Sequence, residues 1–502
     1  LSKSEIDALL DESGIDRELV QSHREHVQFF LKSGGNQTFP VLDTCRLDNG
    51  GILKCPESTQ DDGAGFVSFI PAAGASSRWH SVLSELIVAI SSRNVAQVKE
   101  AITNLKTRDI LKFPLPLKLR ELFTHVDETA DFDFDELLRT IESPKALYPA
   151  VIDGFTFLQM KCLEDACFSK LSGRVVVCPD NMAPIFTHAL KQYATREVPS
   201  VVYEQNGELT TVRFDRDLSI CIDEKQKISQ VPSGHGALAR LFPRVKAEFL
   251  DAESLWIRNV DNVIGTRNDA RSATLSFFGA HATTLRLLRE VRGSLALGNM
   301  EVANKFARSI LDFWQIDDSP LLRSKSPSEL HDAVNLLIQK LFHVTLDGKK
   351  SKDDYLAVLS RPLVTMGHVP NSGKDVGGTA VFANVGGVRQ KLCLEVPHAS
   401  DDDRKKYLED AAKATHFNPV FVAVEIPSVE QAELWKKHPF WLVAQKKWRG
   451  HDVFYQESIL YELIGSSAYV NVVFTEIPRF LFNPHKSLAD AGSRYLSDWI
   501  DS

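Results

Sequence analysis

No run of 18 consecutive apolar residues occurs in this 502-residue chain, so no membrane-spanning helix is expected. No Cys-x-x-Cys pair is present either. The seven cysteines (Cys45, Cys55, Cys162, Cys167, Cys178, Cys221 and Cys393) show no Cys/His zinc spacing. An odd number without such spacing reads as reduced thiols of a cytoplasmic protein. Basic charge is not in excess: 58 Lys and Arg stand against 66 Asp and Glu, a net of −8. A general nucleic-acid binder needs a basic face and is not expected. Binding one nucleotide stays open, because it takes only a few local cations and amides. Neither GxGxxG nor GxxxxGK(S/T) is found, which argues against a dinucleotide dehydrogenase and a Walker-type loop. The N-terminal LSKSEIDALLDESGID is acidic and amphipathic, unlike a signal peptide.

What is present is an ordinary globular composition, 43% hydrophobic and 25% charged, in a chain long enough for two to four structural units. Residues 1 to about 60 read as helices followed by a polar segment. FVSFIP (Phe66 to Pro71) and GRVVVC (Gly173 to Cys178) read as buried strands, each leading toward a helix. VPSVVYEQNGELTTVRFD predicts a β-hairpin around Asn206-Gly207. Residues 269–358 are helical in pattern, and strands return in RPLVTMGHVPN, GGTAVFANVGG, VRQKLCLEVP, PVFVAVEIP and AYVNVVFTEIP. Strands alternating with helices predict an α/β fold with a largely parallel central sheet. The expected organisation is an N-terminal helical segment (1–62), a nucleotide-binding half (63–268), a helical insertion (269–358) and an acceptor-binding half (359–502). The insertion could also serve as a partner-docking surface.

Five stretches could carry chemistry. PAAGASSR (Pro71 to Arg78) leaves a strand with almost no side chains. It is either a compact turn or a place where backbone N–H groups approach phosphate oxygens, with Arg78 as a charged fork. ESPKALYP places Lys145 after a proline, where a solvated surface lysine is the plain alternative. SGHGALARL offers a flexible Gly234-His235-Gly236 bend, and the NVDN that follows puts Asp261 at the end of a strand. Asp261 could hold Mg²⁺ or cap the next turn. THFNPVFVAVEI carries Asn418, whose amide suits sugar hydroxyls or simply opens a turn with Pro419. FTEIPRFLFNPHKSLADAG carries Lys486 at a helix start.

The order of these stretches resembles the sugar-nucleotide pyrophosphorylase (nucleotidyltransferase) superfamily, from about Gly63 to Asp490. Within it the likeness is to a bacterial nucleotidyltransferase-like family similar to eukaryotic-type UDP-sugar pyrophosphorylases. The resemblance implies a Rossmann-like core with a mixed, mostly parallel sheet. It implies that Ala72, Ala73, Gly74 and Ala75 cradle the nucleotide and its phosphates. Arg78 and Lys145 would act on the triphosphate, and Gly234 and His235 would face the base. Asp261 would take the Mg²⁺ position. Glu395, in QKLCLEVPHAS, and Asn418 would contact the sugar, and Lys486 would bind phosphate. The chain departs from the pattern at Ser76-Ser77, which replace Gly-Thr, at Trp79-His80, where a basic residue is usual, and at His485, which replaces Val.

The activity so implied is Mg²⁺-dependent joining of an NTP, UTP favoured, to a sugar 1-phosphate, giving an NDP-sugar and pyrophosphate. The alternatives are nucleotide binding without pyrophosphorylase activity and nucleotidyl transfer to a non-sugar acceptor. Neither a nucleic acid nor a membrane is an expected partner.

Overall fold

The computed structural model describes residues 3–57, 62–74, 78–125, 133–152, 154–193, 197–316, 333–346, 351–373, 375, 377–492 and 495–499. The chain folds into two compact units, each assembled from separate stretches. The first comprises Leu1–Val67, Gln205–Trp256 and Ser276–Arg479, and the second Ser68–Glu204, Ile257–Leu275 and Phe480–Ser502.

In the first unit, strands lie in the order Leu53–Lys54, Asn471–Glu476, Leu363–Pro370, His416–Glu425 and Ser254–Ile257. Asn471–Glu476 is parallel to both Leu53–Lys54 and Leu363–Pro370, and His416–Glu425 runs antiparallel. Leu363–Pro370 is buried at every residue before Pro370, as expected for a strand covered on both faces. A separate antiparallel sheet holds Val41–Thr44, Thr379–Val385 and Val388–Leu394. Asn268–Ala296 (from Ser276 on), Met300–Phe313 and Lys352–Leu359 are helices, in keeping with the helical pattern read over 269–358. Leu288, Val291, Ile310, Leu337 and Val358 are among the residues that form its apolar core.

In the second unit, Phe66–Pro71 (from Ser68 on), Gly173–Cys178 and Ser200–Glu204 lie side by side. The last two are parallel, with Val176 opposite Val202. Helices Ser84–Ser91, Val95–Thr107, Leu117–Thr124 and Phe134–Ile141 form one layer, burying Leu86, Ile90, Val98, Ile102 and Phe123. Local signals fix the helix starts. The Asn94 side chain accepts from the N–H groups of Ala96 and Gln97, and the Thr156 hydroxyl accepts from Gln159 at the start of Phe157–Asp165.

The α/β class and its largely parallel strands agree with the sequence. Two local expectations need correction. The hairpin around Asn206-Gly207 does not form: Ser200–Glu204 pairs with Gly173–Cys178, while Thr210–Val212 pairs with Gln230–Pro232. The turn signal was real, since Gly207 has φ +50°, but both flanking strands found longer-range partners. The polar segment after the N-terminal helices also holds two strands, Val41–Thr44 and Leu53–Lys54. A hairpin of Trp441–Trp448 and His451–Ser458 went unread, although Arg449-Gly450 (φ +50° and +80°) marks its turn. Among the described residues no helix is long and apolar enough to cross a membrane. All seven cysteines are free.

Candidate functional site

In the second unit the strand Phe66–Pro71 opens into Ala72, Ala73 and Gly74; Ala75 lies outside the described residues. The Ala72 N–H donates to the Val177 carbonyl at 2.7 Å, so this amide is spent on the sheet. A Cβ on Gly74 would meet nothing within 4 Å. Protein packing therefore does not demand a glycine there. Arg78 is exposed, and among the described residues no carboxylate pairs with it. Trp79 is buried against Tyr148 and Phe157, with ring centroids 5.7 and 5.1 Å away.

Lys145 is no solvated lysine. It is 5% exposed, and its ammonium lies 4.7 Å from the Trp79 ring and 5.1 Å from the Phe157 ring. Its Nζ donates to the His485 carbonyl, and the Asp261 carboxylate is 3.7 Å away. Burial pulls its pKa from 10.5 down to about 8; Asp261 and Asp490 raise it, and Arg78 lowers it further. Arg78, Asp261 and Asp490 thus all act on one ammonium.

The segments that carry Asp261 and Lys486 are fastened together. The His485 N–H donates to the Asp261 carbonyl at 2.9 Å. Asn262 donates to the Leu481 carbonyl at 2.9 Å and accepts from the Asn483 N–H at 2.7 Å. Asn262 is thus the pin of this junction, and sequence reasoning passed over it. Lys486, one residue beyond His485, is exposed, with no carboxylate paired to it among the described residues. The structure therefore brings Lys145, Asp261 and the Lys486 segment together, with Arg78 in electrostatic range.

Beneath this junction lies a buried charge network that was also missed. Lys161 donates to Glu164 at 2.8 Å and to the Asn262 carbonyl. Arg258 bridges Glu164 at 3.3 Å and Asp165 at 2.5 Å, and Arg174 reaches Asp165 at 2.6 Å. Glu164 also accepts from the Ile264 and Gly265 N–H groups, at 2.8 and 3.2 Å. Three cations face two carboxylates, and the bonds anchor the segment that follows Asp261. The signal was in the sequence: KCLED sets Lys161, Glu164 and Asp165 on one buried helix.

In the first unit, Gly234 and Gly236 answer a packing need. Gly234 has φ +74°, its Cβ would come within 2.7 Å of the Ser458 carbonyl oxygen, and a Cβ on Gly236 within 2.5 Å of the Ser458 carbonyl carbon. The exposed His235 accepts the Leu460 N–H at Nδ1, 2.9 Å away, so the neutral ring carries its proton on Nε2. Glu395 and Asn418 meet across a glycine. A Cβ on Gly378 would fall 2.8 Å from Asn418 Oδ1, 3.1 Å from Glu395 Cα and 2.4 Å from the Leu394 carbonyl oxygen. Asn418 Oδ1 is buried without a partner. The Glu395 N–H is held by Glu462 at 2.8 Å, and Glu462 pairs with His398 at 2.6 Å. Gly378 was not singled out, because its φ is ordinary and only the approach of its neighbours requires it.

For a metal, Asp261 offers one partly exposed carboxylate, and among the described residues no three His, Cys, Asp or Glu side chains cluster for a metal ion. A single carboxylate fits Mg²⁺, which takes most of its ligands from phosphates and water.

No curated protein sequence matches the chain. A solved structure of UDP-glucose phosphorylase from Trypanosoma brucei shares the fold. It aligns at 13% identity over 98% of this chain and 78% of that one, with a TM-score of 0.51. UDP-glucose pyrophosphorylase from Leishmania major aligns at 13% identity over the same shares, with a TM-score of 0.49. The chain thus shares the fold of the Trypanosoma brucei UDP-glucose phosphorylase, in line with the fold that the order of motifs implied. The model of the family described as "Domain of unknown function (DUF4301)" matches residues 187–491, and the chain belongs to that family.

Proposed function

We propose that the protein is a nucleotidyltransferase that joins an NTP to a sugar 1-phosphate and releases pyrophosphate. The observation that carries this reading is Lys145, a buried ammonium beside Asp261 with Arg78 in electrostatic range. Burial lowers the pKa of this lysine even with Asp261 3.7 Å away, so its charge is only partly compensated within the protein. A triphosphate would supply the missing negative charge. The fold shared with a UDP-glucose phosphorylase favours a uridine nucleotide and a sugar phosphate as the substrates.

In the reaction, an oxygen of the sugar 1-phosphate attacks the α-phosphorus of the NTP, and the bond to pyrophosphate breaks in line. The nucleophile is already an anion, so no strong base is required. Arg78 and Lys145 would hold the triphosphate and offset charge growing on the leaving group, while Lys486 would bind the sugar phosphate. Asp261 would hold Mg²⁺, which when bound neutralises α-phosphate oxygens. His235 Nε2–H would donate to a base carbonyl, and Asn418 Oδ1 would accept from a sugar hydroxyl. Ala73 and Gly74 remain in the proposed cradle; Ala72 would contribute only through its position, because its amide is engaged.

Pyrophosphate release measured over four NTPs and a panel of sugar 1-phosphates, with Mg²⁺, tests this. One NTP and one sugar phosphate should give turnover that requires both. Release without the sugar phosphate, or none with any pair, contradicts it.

A further inference from the structure

A cavity of about 240 Å³ opens in the first unit, lined in part by His26, Arg240, Pro243, Val429, Trp435 and Trp441. None of the residues assigned above to nucleotidyl transfer lines it. Its walls are mixed: Leu19, Pro243, Val429, Trp435 and Trp441 supply an apolar, aromatic side, and charged and polar side chains supply the rest. Trp435 and Trp441 are buried, and the His26 ring stacks on Trp441 at 3.8 Å between centroids and 10° between planes.

Its charges do not balance. Arg244 is paired with Glu208, and Lys436 with Glu433 at 2.7 Å. His23, His26 and His438 also line the cavity, and burial lowers all three, His438 to about 3, so they are neutral near pH 7. Arg240 is left over. Its side chain donates to the Glu208 carbonyl, and among the described residues no carboxylate lies within ion-pair distance of it. A guanidinium cannot shed its proton to escape burial. Glu208 and Asp16 act on Arg240 only from beyond ion-pair distance, so this shielded cation lacks a directly paired carboxylate, which a bound anion would supply.

We propose that this cavity binds a small organic anion, a carboxylate on a flat apolar body, with its charge on the Arg240 fork and its body against the Trp435 and Trp441 walls. Guanidinium and carboxylate match as paired hydrogen bonds. The volume suits a single ring, since it falls below the ~300–1,000 Å³ of drug-sized pockets. Binding does not depend on the proposed transfer reaction and stands if that assay fails.

The test uses the full chain, with benzoate and inorganic phosphate as probes, followed by calorimetry and tryptophan fluorescence. Benzoate should saturate in the sub-millimolar to low millimolar range and change the emission. Arg240→Met should weaken it about 10-fold or more, the usual cost of losing a charge-assisted hydrogen bond. Arg240→Lys, which keeps the charge, serves if the Met variant does not fold, and should bind benzoate more weakly than the native protein. Trp441→Phe should diminish the fluorescence change while keeping the heat. Phosphate should bind about 10-fold more weakly, having no apolar body to bury. No saturable response to about 10 mM benzoate, near the weak end of specific binding, overturns the proposal. So does native affinity in both Arg240 variants. Equal binding of phosphate overturns the organic ligand.

Discussion

Lys145 Nζ donates to the backbone carbonyl of His485 while the Asp261 carboxylate stands 3.7 Å away, and the His485 N–H returns to the Asp261 carbonyl at 2.9 Å. The lysine is therefore aimed by the segment that presents Lys486. Moving one cation moves the setting of the other.

The Lys145 ammonium should set an alkaline limb. In the proposed reaction activity requires its charged form, and its pKa is lowered to about 8 by burial. The rate in the free enzyme should fall as pH rises through about 8, and Lys145→Arg should shift that fall upward. A pH profile of kcat/KM for both proteins checks this.

The same shift has a stability consequence of opposite sense. Between about pH 8 and 10.5 the unfolded chain keeps a proton on Lys145 that the folded chain has released. The native protein should therefore gain stability relative to Lys145→Met as pH rises through that window, with a constant difference below it. Urea melts of both proteins at pH 7, 9 and 10.5 measure the change. A difference that stays constant would mean the ammonium is not desolvated.

Lys486 is exposed and unpaired among the described residues, so its removal should leave folding alone. Lys486→Ala should lower turnover by about 10²-fold or more, as for loss of a transition-state charge contact, with an unchanged melting temperature. Native turnover at saturating substrate removes Lys486 from the mechanism.

Asn418 Oδ1 is buried without a partner, so it contributes no hydrogen bond to stability. Asn418→Ala should melt no lower than the native protein while raising KM for the sugar phosphate about 10-fold. By contrast, Gly378→Ala forces a Cβ to 2.4 Å from the Leu394 carbonyl oxygen and should destabilise by about 1–3 kcal/mol, read from chemical denaturation.

Much of this was legible in the sequence for physical reasons that can be named. FVSFIP and GRVVVC are uniformly apolar because their strands are buried, and the alternation of strands with helices gave the α/β class. Lys145 and Lys486 stood out because they follow prolines; Asp261 was expected at the end of a strand, but that strand ends at Ile257, and Asp261 lies in the segment beyond it. Their surroundings were not readable. Nothing in PKALYP says that Trp79 and Phe157 close over Lys145, since those contacts span a fold that local pattern does not encode. Trp79 read as a departure from a basic motif and proved to be a wall of the lysine's pocket. Asn206-Gly207 misled because turn chemistry acts locally, whereas strand pairing is decided by distant partners. Gly378 was invisible because its need arises from Leu394, Glu395 and Asn418, all remote in sequence.

The central claim is that the charges around Lys145 serve a nucleoside triphosphate. Calorimetric titration of the full chain with UTP and Mg²⁺, beside Lys145→Met and Asp261→Asn, tests it most directly. The account predicts saturable UTP binding in the native protein, at least 10-fold weaker in Lys145→Met, and loss of Mg²⁺ dependence in Asp261→Asn. Undiminished UTP and Mg²⁺ binding in both variants, with native melting curves, would contradict it.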